Sequence, residues 1–366
     1  MNGDSSLAEV YRGRRVLVTG HTGFKGGWLS LWLASLGAEV TGYSLPPPTE
    51  PSLFVAAQVA DYLTHVEGDV RDVDHLRQVW RAARPEIVFH LAAQPIVRTS
   101  YCDPLTTVAT NVLGTTHVLE LAREWRESAA LVIVTSDKCY ENREWVYGYR
   151  EDDALGGRDV YSASKAAAEL LVRSYRCSFF PPEALATHGV ALASARAGNV
   201  IGGGDWAPDR IVPDCVRALA QGGSVTVRSP HAVRPWQHVL EPVSGYLALG
   251  ARLLAGCPAD RAPFCDAWNF GPALNSSRTV RDLVDAVVRR WGSGRWQPVS
   301  DPAQPHEAAL LRLAIDKAQT HLGWSPRWDF VGAVTRSVDW YRAFYAGEDA
   351  AQWCRRQIAE YQEAGA

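Results

Sequence analysis

The chain predicts an α/β fold, a doubly wound parallel sheet joined to a smaller mixed α/β lobe, and three observations carry that prediction. Short apolar runs alternate with segments of helical period through the first half of the 366 residues. A glycine-rich turn joins the first run to the first helix, and beyond residue 200 the alternation gives way to shorter elements separated by Pro and Gly. Strands alternating with helices of about 10 to 15 residues imply a parallel sheet covered on both faces.

Residues 14 to 20 (RRVLVTG) read as a buried strand, and 24 to 37 (FKGGWLSLWLASLG) as a helix closed by Gly37. Residues 38 to 44 form a second strand and 64 to 70 a third, followed by a helix over 72 to 85 with Asp72 as its N-cap. Strand 86 to 93, a long helix within 104 to 124 and strand 130 to 137 continue the series. A helix over 160 to 180 and a strand over 190 to 199 extend the sheet. This divides the chain into a dinucleotide-binding domain at 1–200 and a substrate-binding lobe mainly at 201–330, with possible returns to the first domain, then a helical segment at 331–366.

Composition narrows the function. With 47% hydrophobic and 21% charged residues the sequence has a globular composition. A net charge of -3 offers no basic field to recruit nucleic acid or an anionic membrane. No run of about 18 apolar residues occurs, and the first fifteen residues carry charges where a signal core would be apolar, so a cytoplasmic protein is expected. Seven scattered cysteines without a C-x-x-C pair suit reduced thiols and argue against structural zinc; no metal site is expected. Fourteen tryptophans against one methionine suggest core and pocket lining.

The strongest local signal is TGHTGFKG at 19 to 26. Gly20 permits a tight turn, Gly23 lets a pyrophosphate approach the backbone, and Gly26 permits close packing of helix on strand, the Rossmann-like arrangement. The helix N-terminus adds free N–H groups and the positive end of a dipole. The spacing is that of short-chain dehydrogenases and their extended relatives. An acidic residue normally ends the second strand and holds the ribose, yet Tyr43 and Ser44 stand there, and no Arg between Arg15 and Arg71 is at hand for a 2'-phosphate. NAD and NADP both stay open on this point. Asp69, ending the third strand, is placed either for the adenine edge or as a solvated loop carboxylate.

YSASK at 161 to 165 sets Tyr161 and Lys165 one helical turn apart. Alone, the five letters do not separate a catalytic pair from two side chains sharing a face. They follow a strand ending in Ser136, Asp137 and Lys138, where a parallel sheet places its ligands. A phenol near pKa 10 is a poor base at neutral pH, and a neighbouring ammonium or a cationic nicotinamide favours its phenolate. Alcohol oxidation or epimerisation needs the hydroxyl. A carboxyl group beside an amine adds what a dehydration needs, namely an acid for a departing hydroxyl and a base for an acidified C–H. Lys138 serves as that base only if desolvation or a nearby cation lowers its pKa; otherwise it is an ion-pair partner of Asp137 or a substrate contact.

The stretches at 18 to 54, FHLAAQPIVRTSYCDP (89 to 104), NVLGT (111 to 115), VTSDKCYEN (134 to 142) and YSASK resemble the CDP-glucose 4,6-dehydratase family of the extended short-chain dehydrogenase superfamily. So do SARAGNVIGGGDWAPDRIVPD (194 to 214), RPWQHVLEP (234 to 242) and the segment at 304 to 324. The resemblance implies tightly held NAD, with Gly20, Thr22, Gly23, Phe24, Gly26, Asp69, Val70, Leu91, Ala92, Ala93, Tyr161 and Lys165 around it. It implies that CDP-D-glucose is oxidised at carbon 4 by Tyr161 with Lys165 and Ser136. Water is then lost across carbons 5 and 6 with Asp137 as acid and Lys138 in the base position. Substrate contacts are implied at Gln94, Asn199, Arg234 and His306, and a homodimer through the helices at 104 to 124 and 160 to 177. The competing expectations are another nucleotide-sugar dehydratase, a 4-epimerase, or an NAD-sensing protein without turnover.

Overall fold

The computed structural model describes residues 3–125, 127–273, 276–299 and 310–365. Seven strands make the main sheet: β1 (Arg15–Thr19), β2 (Glu39–Ser44), β3 (Thr64–Glu67), β4 (Ile87–His90), β5 (Ala129–Val134), β6 (Val190–Arg196) and β7 (Ala267–Asn269). Their order is β7-β6-β5-β4-β1-β2-β3, and every pairing is parallel. The direction of winding reverses between β1 and β4, so a crevice opens beyond their carboxyl ends, where such sheets bind ligands.

β5 (AALVIV) is buried at all six positions, as a strand covered on both faces must be. One face packs Leu17, Val88, Leu131 and Leu192 with Trp80 and Val118; the other packs Val16, Phe89, Val132 and Ala193 with the Leu240–Leu254 helix. The chain therefore re-enters the main body after residue 201, through that helix and through β7. Three two-stranded pairs lie outside the main sheet: Val200–Ile201 with Gln237–His238, Val233–Pro235 with Ser277–Thr279, and Ser224–Val227 with Arg295–Pro298.

Asp72 caps the Val73–Ala83 helix by accepting from the His75 N–H at 3.0 Å, as its sequence position predicts. The helix expected within 104 to 124 is present and continuous, as Pro104–Val108, a π-helical turn at Ala109–Leu113 and Gly114–Glu124, and a separate short helix, Val97–Cys102, precedes it. Pro104 restarts the chain as a first-turn residue, with Asp103 capping it. The π turn presents Asn111 inward, where it accepts from the Gln94 N–H at 2.8 Å and donates to Ser164 Oγ at 2.9 Å. Such single-turn bulges recur at functional sites because they re-aim one side chain.

The tryptophans pin the C-terminal helices Phe330–Tyr345 and Ala350–Glu363 to the body. Trp32 meets Tyr361 edge-on at 5.6 Å, Trp206 meets Trp340 at 5.6 Å, and Trp28 Nε1 donates to Gly203 O at 2.9 Å. Trp28 and Trp32 belong to the Phe24–Ser35 helix, so the C-terminal segment braces the element that follows the glycine turn.

Candidate active site

A cleft of about 1300 Å³ opens at the carboxyl ends of the central strands. β1 delivers the glycine turn to its floor. Gly20 holds φ of +81° and its N–H donates to Tyr43 O at 2.9 Å, which ties the turn to β2. A Cβ on Gly26 would stand 2.1 Å from Gly20 O, so the first helical turn lies directly on the loop. Gly23 caps the Phe24–Ser35 helix without a side-chain hydrogen bond, which leaves first-turn N–H groups for an outside anion. A built cradle with free donors is what a dinucleotide pyrophosphate requires, and these residues fit one.

Thr22 also lines the cleft, with its hydroxyl 2.8 Å from Ser44 Oγ and 2.8 Å from Leu45 O. Phe24, Asp69, Val70, Leu91, Ala92 and Ala93 border the same space. The Asp69 carboxylate is held by the Arg71 backbone N–H and guanidinium, which keep its pKa below the ordinary value although burial opposes them. His90 stays in the core: Nδ1 lies 2.7 Å from Thr19 Oγ1, and burial lowers its pKa to about 3.

At the end of β5 the chain turns through Ser136 into the short Asp137–Cys139 helix. Ser136 Oγ donates to Asp137 Oδ1 at 3.0 Å and accepts from the Lys138 N–H at 3.2 Å. Asp137 is 1% exposed, and Lys138 is half-buried and borders the cleft. The Val160–Ser178 helix supplies Tyr161 and Lys165; Asp159 caps it, accepting from the Ser162 N–H at 2.9 Å. Lys165 Nζ donates to Val134 O at 3.5 Å, tying the helix to β5. Ser136, Asp137, Lys138, Tyr161 and Lys165 thus converge on one wall.

Burial dominates the electrostatics. It pushes the Tyr161 phenol up to about 12, while the Ser136 hydroxyl pulls it down and Asp137 pushes it up. Burial thus outweighs the groups that favour the phenolate, and the phenol stays above its ordinary value. Burial also lowers Lys165 to about 8, against the Glu169 carboxylate one turn further on. Glu169 itself is buried but fully partnered: it accepts from Thr135 Oγ1, from Ser194 Oγ at 2.8 Å and from Arg196 Nη2 at 2.7 Å. That set braces the strand end from behind.

Of the expected substrate contacts, Asn199 and Arg234 border the cleft. Asn199 does so with φ of +40°, a conformation uncommon outside glycine. Gln94 turns its side chain away: Nε2 donates to Thr107 Oγ1 at 2.8 Å, and Oε1 accepts from the Ile96 N–H at 2.6 Å. Its amide is spent on folding the loop beneath the site. His306 lies outside the described residues. Sequence reasoning missed Arg98, Arg210 and Arg228, which come from distant segments to the same cleft. Asp209 gathers two of them, 3.5 Å from Arg98 and 3.0 Å from Arg228. Guanidinium groups so grouped suit a diphosphate. Lys25 was missed as well, although it sits inside the glycine motif.

CDP-glucose 4,6-dehydratase of Salmonella typhimurium is 49% identical over 354 residues, 97% of this chain and 98% of the relative. Among solved structures, an epimerase from Methanothermobacter thermautotrophicus superposes with a TM-score of 0.77 at 22% identity, covering 96% of this chain and 97% of that one. A dTDP-glucose 4,6-dehydratase from Streptomyces venezuelae, with NAD bound, gives 0.75 at 24% identity, covering 92% and 99%. The GDP-mannose 4,6 dehydratase family matches residues 17–336, a span that takes in the glycine turn, the Ser136-Asp137-Lys138 triplet and the Tyr161–Lys165 helix, and the chain belongs to that family.

Proposed function

We propose that the protein is an NAD-dependent CDP-D-glucose 4,6-dehydratase, forming CDP-4-keto-6-deoxy-D-glucose and water. The observation that carries this is Asp137, a buried carboxyl group held by Ser136 on the cleft wall beside Tyr161 and Lys165. An epimerase does not require that acid; an elimination does. The relative named CDP-glucose 4,6-dehydratase, at 49% identity over nearly the whole of both chains, supports the cytidine sugar.

When bound, NAD supplies the reversible oxidation of carbon 4. Tyr161 takes the carbon 4 hydroxyl proton, with Ser136 orienting that hydroxyl and Lys165 holding positive charge behind the phenol. The resulting ketone acidifies the carbon 5 proton, which Lys138 or a water it holds removes. Asp137 protonates the carbon 6 hydroxyl as it leaves. Arg98, Arg210, Arg228 and Arg234 surround the diphosphate, and Asn199 contacts the substrate. His306 keeps its role as a substrate contact by resemblance.

The enzyme works as a homodimer. Leu105, Val108 and Leu113 follow helical spacing and are 81%, 45% and 46% exposed, and Leu170 on the Val160–Ser178 helix is 54% exposed. Apolar side chains so exposed suit helix pairing with a second copy. A cytoplasmic site agrees with seven free cysteines, and among the described residues no helix is long and apolar enough to cross a membrane.

The test is mass spectrometry of products from CDP-D-glucose and, separately, its uridine, guanosine and deoxythymidine analogues. Loss of one water from the cytidine sugar alone is expected. Loss from another nucleotide's sugar overturns the base assignment, and epimerisation without water loss overturns the dehydratase.

A further inference from the structure

Building on the NAD-dependent function above, we infer that Ser44 takes the place of the missing acidic residue at the adenosine end, as a hydroxyl held in acceptor orientation by Thr22. This end of the cleft thereby selects NAD over NADP.

A dinucleotide fold holds the adenosine ribose with a group at the end of the second strand, ordinarily a carboxylate that accepts from the 2'-hydroxyl. Ser44 is the last residue of β2, and β2 pairs in register with β1, which carries the glycine turn. The Gly20 N–H donates to Tyr43 O at 2.9 Å, so the turn and the strand end are fixed to each other. Ser44 and Thr22 line the cleft together, 8% and 3% exposed.

A serine hydroxyl differs from a carboxylate in carrying a proton, and as a donor it would suit a 2'-phosphate as well as a 2'-hydroxyl. The hydrogen bonds remove that ambiguity. Leu45 O can only accept, so the Thr22 hydroxyl proton lies on the 2.8 Å contact between them. Thr22 Oγ1 has no second proton to give, so across its 2.8 Å contact with Ser44 Oγ the donor is Ser44. Ser44 Oγ is left with lone pairs only. It accepts from a ribose hydroxyl as a carboxylate does, and it meets a phosphate oxygen acceptor to acceptor.

The neighbouring donors are spent elsewhere. Leu45 is followed by Pro46, Pro47 and Pro48, three residues without a backbone N–H, and Pro46 and Pro48 line the cleft. The Thr49 hydroxyl, also at the cleft, donates to Pro51 O at 2.8 Å, and Tyr43 Oη donates to Asp69 O at 2.9 Å. A nearby arginine is what accommodates a 2'-phosphate. Arg71 has its Nε on Asp69 Oδ2 at 2.8 Å, and Asp69 brings a negative charge of its own to the cleft.

Calorimetric titration of the full chain, cleared of bound nucleotide, with NAD, NADP and an NAD whose adenosine ribose lacks the 2'-hydroxyl tests this. The unaltered protein is expected to bind the 2'-deoxy analogue about tenfold more weakly than NAD, and NADP about 10²-fold more weakly. Ser44→Ala is expected to bind NAD and the analogue alike. In Thr22→Val the Ser44 proton has no acceptor behind it and turns to the cleft, so the preference for NAD over NADP is expected to narrow about tenfold. Thr22→Ser keeps the proton path and is expected to keep the preference. The proposal is overturned if the unaltered protein binds NAD and the analogue alike, or binds NADP as tightly as NAD. It is equally overturned if Ser44→Ala still discriminates, if Thr22→Val leaves the preference unchanged, or if Thr22→Ser loses it. The titrations of the unaltered protein decide the matter even where a variant misfolds. If none of the three dinucleotides binds, the NAD-dependent function itself falls, and this assignment with it.

Discussion

Ser136, Asp137 and Lys138 follow one another in a single turn, and the fold uses each differently. Ser136 caps the turn and holds the carboxyl group, Asp137 is enclosed, and Lys138 stands at the cleft edge. Asp137→Asn keeps the Ser136 hydrogen bond but has no acidic proton. Water loss is expected to fall about 10²- to 10⁴-fold while carbon 4 oxidation continues, visible as reduced-nicotinamide absorbance in a stopped-flow trace. Undiminished water loss would remove Asp137 from the acid role. At Gly26, an added methyl group meets Gly20 O at 2.1 Å. Gly26→Ala is therefore expected to purify with little bound NAD, measured by absorbance after denaturation; full occupancy would show that the turn tolerates displacement. The triplet, the glycines and the Tyr161–Lys165 pair were legible because each is a local pattern with a fixed chemical purpose. Lys25 and the three arginines were not, since a lone cation in a helix or loop reads as solvated until distant segments meet. Gln94, expected as a substrate contact, has neighbours that border the cleft while its own amide bonds to Ile96 and Thr107.

At the scale of elements, all six strands of the first 200 residues were legible to within a few positions; burial on both faces leaves a nearly uninterrupted apolar signal in β1, β4, β5 and β6, whereas β3 is largely exposed. β7 was hidden, as three residues carry no period. The π turn was hidden too, since inward-facing Asn111 is set by partners in Gln94 and Ser164. Glu241 shows a tertiary contact that no period announces. It accepts from the Trp328 N–H at 2.7 Å, from the Arg327 N–H at 3.0 Å and from Tyr361 Oη, joining the Leu240–Leu254 helix to the C-terminal helices. Burial raises it from 4.5 to about 7, with those hydrogen bonds and Arg327 opposing. The folded chain therefore binds more protons than the unfolded one between these values, so this contribution to stability is complete below pH 4.5 and declines as pH rises to 7. The loss amounts to roughly 3 kcal/mol. Urea unfolding across that window is expected to show the slope in wild type and a flatter profile in Glu241→Gln; identical profiles would show that Glu241 does not titrate on unfolding.

For the whole molecule, one parallel sheet brings the glycine turn, the triplet and the Tyr-Lys helix to the same edge, while segments after residue 200 close the cleft from the far side. The exposed leucines predict the assembly. The proposed pairing predicts that wild type sediments as a dimer and the double variant Leu105→Glu with Leu170→Glu as a monomer. A monomeric wild type would contradict the pairing. The central claim is that one pocket oxidises carbon 4, removes water and reduces carbon 6 without releasing what it took. CDP-D-glucose carrying deuterium at carbon 4, turned over in ordinary water and read by NMR, tests this most directly. The predicted product holds that deuterium at carbon 6 and a solvent proton at carbon 5. Deuterium left at carbon 4, or lost to water, would contradict it.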